Sequence, residues 1–196
     1  MFNLNFYKRY IKTLNKTSSQ INLKKIDHAT NIILKAIEDK KNIFIAGNGG
    51  SAAVANHMLC DFNKGIKLSS KKKLIPKFIS LSNSIEQITA ISNDVSFKEI
   101  FKFQLENYLE NDDIVILMSC SGTSKNIVKT LNYLENKKCK IIFFTGFQKK
   151  MPKKKIDVYI NLKCKNYGIT EDLFSTILHL ISQGIRSKFT KKNEIL

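Results

Sequence analysis

The sequence predicts an α/β fold: a doubly wound, parallel five-stranded sheet flanked by helices, with extra helices at the N-terminus. Three observations predict it. Short apolar runs, among them Ile43-Phe44-Ile45-Ala46, Ile114-Val115-Ile116-Leu117-Met118 and Ile141-Ile142-Phe143-Phe144, read as strands buried on both faces. Segments of helical period separate them, the alternation that gives parallel strands joined by crossover helices. Two strands run straight into Gly- or Ser-rich loops that open helices, the place where such sheets bind ligands.

In chain order, the first forty residues read as helical. Ile26, Ala29, Ile32, Ile33, Leu34 and Ile37 recur at helical spacing, and a separate helix is expected around Tyr7–Leu14. Ile43–Ala46 is the first strand, and a helix follows from Ser51 to Phe62. Lys77–Ser82 is the second strand and Phe97–Leu109 a helix. Ile114–Met118 is the third strand, Ser119–Ser124 a polar loop and Lys125–Leu134 a helix. Lys140–Gly146 and Asp157–Leu162 complete the strands. A closing helix runs from about Thr170 to Lys188, and the tail Thr190–Leu196 is expected to fray. The expected organisation is one domain over 1–196, with a helical extension at 1–40, an α/β core at 41–190 and a tail at 191–196; the length of 196 residues suits this. No internal repeat stands out.

A hydrophobic content of 43% supplies a full core and excludes a disordered chain. The net charge of +17 is nearly all lysine in short clusters, Lys71-Lys72-Lys73, Lys149-Lys150 and Lys153-Lys154-Lys155, and Arg is nearly missing. That pattern reads as solvated surface lysine and speaks against a dedicated nucleic-acid surface. Cys60, Cys120, Cys139 and Cys164 form no C-x-x-C pair and are expected as reduced thiols. Met1–Lys8 lacks an apolar signal region and no run is long enough to cross a membrane, so a cytoplasmic protein is expected.

The first loop, Gly47-Asn48-Gly49-Gly50-Ser51, lies between a strand and a helix. Its glycines permit a sharp turn and close approach to a ligand, and the helix N-terminus favours an anion. It is neither a G-x-G-x-x-G fingerprint, because Ala52 fills the third glycine position, nor a P-loop, because the lysine is missing. The second loop, Ser119-Cys120-Ser121-Gly122-Thr123-Ser124, has four hydroxyls beside another helix N-terminus. Strand–helix turns often carry Gly and Ser for turn and capping reasons alone. Two such loops in one sheet make a phosphorylated ligand the better explanation. The candidate ligand-binding residues are therefore Asn48, Gly49, Gly50, Ser51, Ser119, Cys120, Ser121, Thr123 and Ser124.

His57 and Asp61 are four apart on the helix after the first loop, one turn apart on one face. Glu171 and His179 are eight apart on the last helix, on one broad face. These four could hold zinc, or could serve as acid and base on a sugar. His28 has no such partner and reads as a surface residue.

The strings AGNGGSAAVANHMLCDF, Ser92-Asn93-Asp94, SCSGTS and EDLFSTILH resemble the SIS (sugar isomerase) domain family, and within it the phosphoheptose isomerase group. The resemblance spans nearly the whole chain. It implies a flavodoxin-like fold, conversion of sedoheptulose 7-phosphate to a heptose 7-phosphate, and heptose supply for a surface polysaccharide. It implies phosphate on Ser119, Ser121, Thr123 and Ser124, with sugar near Asn48, Ser51, Asn93 and Asp94. His57 matches a metal-binding histidine of some members and His179 the catalytic histidine. The chain departs from the pattern at three places. Asp61 replaces a catalytic glutamate and reaches about 1.5 Å less. Glu171 replaces a glutamine, and Lys64-Gly65 stands where the group has Gly-Arg. The leading expectation is an isomerase with Asp61 and His179 as acid and base, with Glu171 also among the substrate-binding residues, and with zinc on His57, Asp61, Glu171 and His179. It is expected to be a homo-oligomer, a tetramer by the resemblance. The alternative is a non-catalytic binding or adaptor protein of the replication-initiator-associating type in the same family.

Overall fold

The computed structural model describes residues 3–148 and 154–190. Lys149, Lys150 and Lys153 of the lysine clusters, and the tail 191–196, lie outside the described residues. Two helices come first, α1 (Leu4–Ser19) and α2 (Leu23–Glu38), each opened by an asparagine, Asn3 and Asn22, whose side chain accepts a backbone N–H. The core then alternates. β1 (Asn42–Ala46) leads to α3 (Gly50–Leu59), which widens into a π-helical stretch at Cys60–Ile66 and ends in α4 (Lys67–Ser69). β2 (Lys77–Ser80) is followed by α5 (Ile85–Ile91), a second π-helical stretch at Ser92–Ser96, a 3₁₀ turn at Phe97–Glu99 and α6 (Ile100–Tyr108). β3 (Ile114–Ser119), α7 (Lys125–Leu134), β4 (Lys140–Thr145), β5 (Val158–Asn161) and α8 (Tyr167–Ser187) complete it.

The five strands form one sheet in the order β2-β1-β3-β4-β5, every pair parallel. The order reverses between β1 and β3, so the loops after these neighbouring strands flank the crevice at the switch point. Alternate strand residues feed two cores. Ile43, Ile45, Ile116, Met118, Ile142 and Phe144 join α2, α3 and α8 on one face. Phe44, Val115, Leu117, Ile141 and Phe143 join α5, α6 and α7 on the other. Two buried faces explain why the central strands β1, β3 and β4 read as continuous apolar runs, while the edge strands β2 and β5 alternate.

α8 is central to the first face. Leu173, Phe174, Ile177, Leu178 and Ile181 share a core with Ala55, Met58, Phe62 and Ile66. The last helix is thereby laid against the helix that follows the first loop, although the two are far apart in sequence. α1 contributes little: Thr17 is its buried residue, while Leu4, Phe6, Tyr7 and Ile11 are exposed. Among the described residues no helix is long and apolar enough to cross a membrane. All four cysteines are free thiols.

Candidate active site

The first loop is shaped by Gly49, whose φ of +54° and ψ of −125° suit glycine. The Gly47 N–H donates to the Ser82 hydroxyl at 3.2 Å, and that hydroxyl donates to the Gly47 carbonyl at 2.9 Å. The backbone N–H of Ser51, at the start of α3, donates to Glu171 Oε1 at 2.9 Å. The carboxylate of α8 thus meets an N–H that the helix itself leaves without a partner. A methyl group on Gly50 would collide with that carboxylate.

In the second loop Gly122 turns at φ +71°. Its N–H donates to the Ser119 hydroxyl at 3.1 Å, and the Ser119 and Ser124 hydroxyls lie 3.0 Å apart. The Thr123 hydroxyl donates to Ser121 Oγ at 3.0 Å. Ser124 caps α7 without a side-chain bond to its N–H groups; the Ile127 N–H donates to Asn126 Oδ1 at 2.9 Å, and the N–H groups of Lys125 and Asn126 before it are left to face an anion. Cys120 is buried between the loops. Burial pushes its thiol up to about 11, and the Glu171 carboxylate beside it adds to the shift.

The two loops are tied by a reciprocal amide pair that sequence reasoning missed. Asn48 Nδ2 donates to Asn126 Oδ1 at 2.9 Å, and Asn126 Nδ2 donates to Asn48 Oδ1 at 2.8 Å. Asn126 is fully buried in the first turn of α7. Its signal was present: a buried amide in a helix needs a partner, and Asn48 is the free amide of the facing loop. Asn93 and Asp94 are exposed on the π-helical stretch before α6, where Asn93 Nδ2 donates to Asp94 Oδ1 at 2.8 Å. Among the described residues neither is hydrogen-bonded to the two loops.

α3 and α8 bring three of the four predicted ionisable groups together. His57 Nε2 lies 3.1 Å from His179 Nε2, and His179 Nε2 lies 3.1 Å from Asp61 Oδ2. The two rings meet edge to face with centroids 5.2 Å apart. One ligand atom from each of His57, Asp61 and His179 fits within 4.8 Å of the others. Asp61 stands in the first turn of the π-helical stretch after α3. Glu171 does not join this group. Eight residues along α8 place it about 12 Å from His179 along the helix axis, and the Ser51 N–H holds its carboxylate. The expected four-group cluster is thus a group of three, with Glu171 at the first loop. His28 is exposed, as expected.

Residues 5–146 match the SIS domain family. The chain is 30% identical over 182 residues to the "Probable phosphoheptose isomerase" of Thermoplasma acidophilum, covering 93% of this chain and 98% of that protein. It is 31% identical over 157 residues to the phosphoheptose isomerase of Geotalea daltonii, covering 80% of each. The solved structure of a phosphoheptose isomerase from Francisella tularensis superposes with a TM-score of 0.80, over 96% of this chain and all of that one (100%), at 22% identity, which bears on the fold. The chain belongs to the SIS domain family, and within it to the phosphoheptose isomerases.

Proposed function

We propose that this chain is an aldose–ketose isomerase that converts sedoheptulose 7-phosphate to a heptose 7-phosphate through an enediol, in the supply of heptose for a surface polysaccharide. The observation that supports this most is the meeting of His57, Asp61 and His179, with His57 on the helix that the first loop opens. Ser119, Ser121, Thr123 and Ser124, with the N-terminus of α7, hold the phosphate. Asn48 and Ser51 address the sugar, with Gly49 and Gly50 giving it room and Cys120 closing the floor. Asn93 and Asp94 reach it at the rim. Phosphate binding at a distance from the reacting carbons fixes their position and lends that binding energy to the chemistry. In the protein without metal, Asp61 and His179 are the acid and base.

The three clustered groups also fit zinc. Two imidazole nitrogens and a carboxylate oxygen are a donor set this ion favours. Ligands at about 2.05 Å in a tetrahedron stand about 3.3 Å apart, close to the 3.1 Å seen twice here. Moreover His179 Nε2 faces two partners, and one ring nitrogen carries at most one proton. A cation at the common point satisfies all three groups. Held by His57, Asp61 and His179, zinc would supply polarisation of the substrate carbonyl.

Residues 1–196 form one SIS domain in this proposal, with 1–40 as its helical extension, 41–190 as its core and 191–196 as a tail. It is a cytoplasmic homotetramer, since Leu4, Phe6, Tyr7 and Ile11 of α1 offer an apolar face for another copy. The test is solvent deuterium exchange into a panel of ketose and aldose phosphates, with zinc content measured after purification without added metal. Exchange and interconversion with the seven-carbon sugar are expected. A protein that binds sugar phosphates and exchanges none of them is an adaptor instead.

A further inference from the structure

Gly122 turns the second loop at φ +71°, and the space where a side chain would stand there is already taken. Gln148, from the segment after β4, fills it: a methyl group on Gly122 would meet Gln148 Oε1, Cδ and Cβ. The backbone just before Gln148 is tied to the same loop. The Cys120 carbonyl accepts the Gly146 N–H at 2.9 Å and the Phe147 N–H at 3.0 Å. Gln148 is thus a side chain laid across the loop to which the proposed function assigns the phosphate.

Its orientation is fixed from β4 and β5. The buried Thr145 hydroxyl donates to the Tyr159 hydroxyl at 2.9 Å, and the Tyr159 hydroxyl donates in turn to Gln148 Oε1 at 3.2 Å. Asn161 Nδ2 donates to the Gln148 carbonyl at 2.7 Å. Backbone and side-chain oxygens are both held, so the amide plane is set and its NH2 group is turned away from Tyr159. Among the described residues Nε2 makes no hydrogen bond. Two N–H donors are left over, on a half-buried side chain beside a loop of hydroxyls.

A phosphate dianion offers only acceptors and takes donors from several sides. We infer that Gln148 is a phosphate-binding residue: its Nε2 donates to the phosphate held by the second loop, and the Thr145 and Tyr159 hydroxyls keep that donor aimed. The inference rests on the isomerase reading for the identity of the ligand. An amide held in one plane donates in a fixed direction, which a surface lysine does not. The groups that move protons stand on α3 and α8, so the loss of Gln148 acts on KM and leaves kcat in place.

Gln148→Met and Gln148→Glu test this. Met keeps the length and the neutrality and removes both donors. Glu keeps the oxygen that Tyr159 addresses and sets a charge against the phosphate. Calorimetry with inorganic phosphate and with sedoheptulose 7-phosphate should show affinity about 10-fold weaker for Gln148→Met and about 100-fold weaker for Gln148→Glu. KM should rise in step, with kcat within about 3-fold. Tyr159→Phe releases the amide and should weaken phosphate binding about 3-fold, yet change nothing further in Gln148→Met, because the donor it aims is already gone. Unchanged phosphate affinity in Gln148→Met overturns the inference. So does a Tyr159→Phe effect of the same size with and without Gln148, which would show general loosening of the loop. If the Gln148 variants do not fold, the unmodified protein crystallised with the sugar phosphate decides: Nε2 within about 3.2 Å of a phosphate oxygen supports the inference, and a separation beyond about 4 Å overturns it. Weakened phosphate binding in Gln148→Met, in a protein whose unmodified form exchanges no sugar phosphate, keeps the contact and overturns the isomerase reading. An unmodified protein that binds neither inorganic phosphate nor the sugar phosphate overturns both.

Discussion

The two halves of the candidate site are built in different ways. The loop half, Gly47–Ser51 with Ser119–Ser124, is made from backbone N–H groups and neutral hydroxyls supplied by two short stretches at neighbouring strand ends. The helix half is made from three ionisable side chains. His57 and Asp61 meet His179, and the two histidines are 122 residues apart in sequence. A site made from backbone and many hydroxyls spreads its binding over several weak contacts. A site made from three side chains concentrates it, so single substitutions should act very differently on the two.

The largest effect belongs to the helix half. His179→Ala should cut turnover by about 100-fold or more and leave sugar-phosphate binding within about 3-fold, because it removes one proton carrier or metal ligand and no phosphate contact. Asp61→Asn should do likewise, since it keeps shape and removes basicity. Kinetics paired with calorimetry check both. Binding lost in step with turnover would erase the distinction between the halves.

The join between the loops comes next. Asn126→Ala leaves the Asn48 amide without its partner. Asn48 is half-buried and water partly replaces the lost bond, so the expected cost is about 1 kcal/mol, the net worth of a typical hydrogen bond. Denaturant unfolding should show that loss, and sugar-phosphate affinity should weaken as Asn48 turns away. Unchanged stability would mean that the loops hold their places without the amide pair.

Much of the loop half was visible in the sequence, and the reason is locality. Gly49, Ser51 and the four hydroxyls lie within a few residues of the strands that place them. The helix α7, Lys125–Leu134, falls where the apolar spacing puts it. The short α5 and the π-helical stretches at Cys60–Ile66 and Ser92–Ser96 were not visible. Ile85–Ile91 mixes Glu86, Gln87 and Thr89 with its apolar residues, and a widened turn is decided by packing rather than by composition. The helix half was visible only in part. Periodicity put each histidine and carboxylate on a helix face, and the resemblance joined the two helices. An 80° turn on one helix looks like a shared face on paper. The eight-residue rise is what separates Glu171 from His179.

A smaller effect is expected from the hydroxyls. Ser121→Ala with Ser124→Ala should weaken sugar-phosphate binding by about 1–3 kcal/mol, as for lost hydrogen bonds to a charged group. The backbone N–H groups at the start of α7 remain to hold the anion. Calorimetry on the double variant measures it. Unchanged affinity would place the phosphate elsewhere, and complete loss would show that hydroxyls, not backbone, carry the loop half.

The smallest effect uses one thiol from each half. Cys60 is exposed, next to Asp61 on the π-helical stretch, whereas Cys120 is buried in the second loop. Burial raises the Cys120 thiol from 9.0 to about 11, with a further push from the Glu171 charge, and burial does the same for Cys139. Thiolate is the reactive form, so iodoacetamide at pH 8 should modify Cys60 and spare Cys120 and Cys139. The same shifts set the sign of a stability change. Between pH 9 and 11 the unfolded chain releases these two thiol protons while the folded protein keeps them. The folded state then binds more protons, and its stability falls as pH rises through that window. Below pH 9 both states are protonated and the thiols contribute no slope. Peptide mapping of alkylated protein and melting curves from pH 8 to 11 read the two consequences separately. Rapid modification of Cys120 at pH 8 would show that the second loop opens far enough to expose its floor, and the contrast between a closed loop half and an open helix half would not survive it.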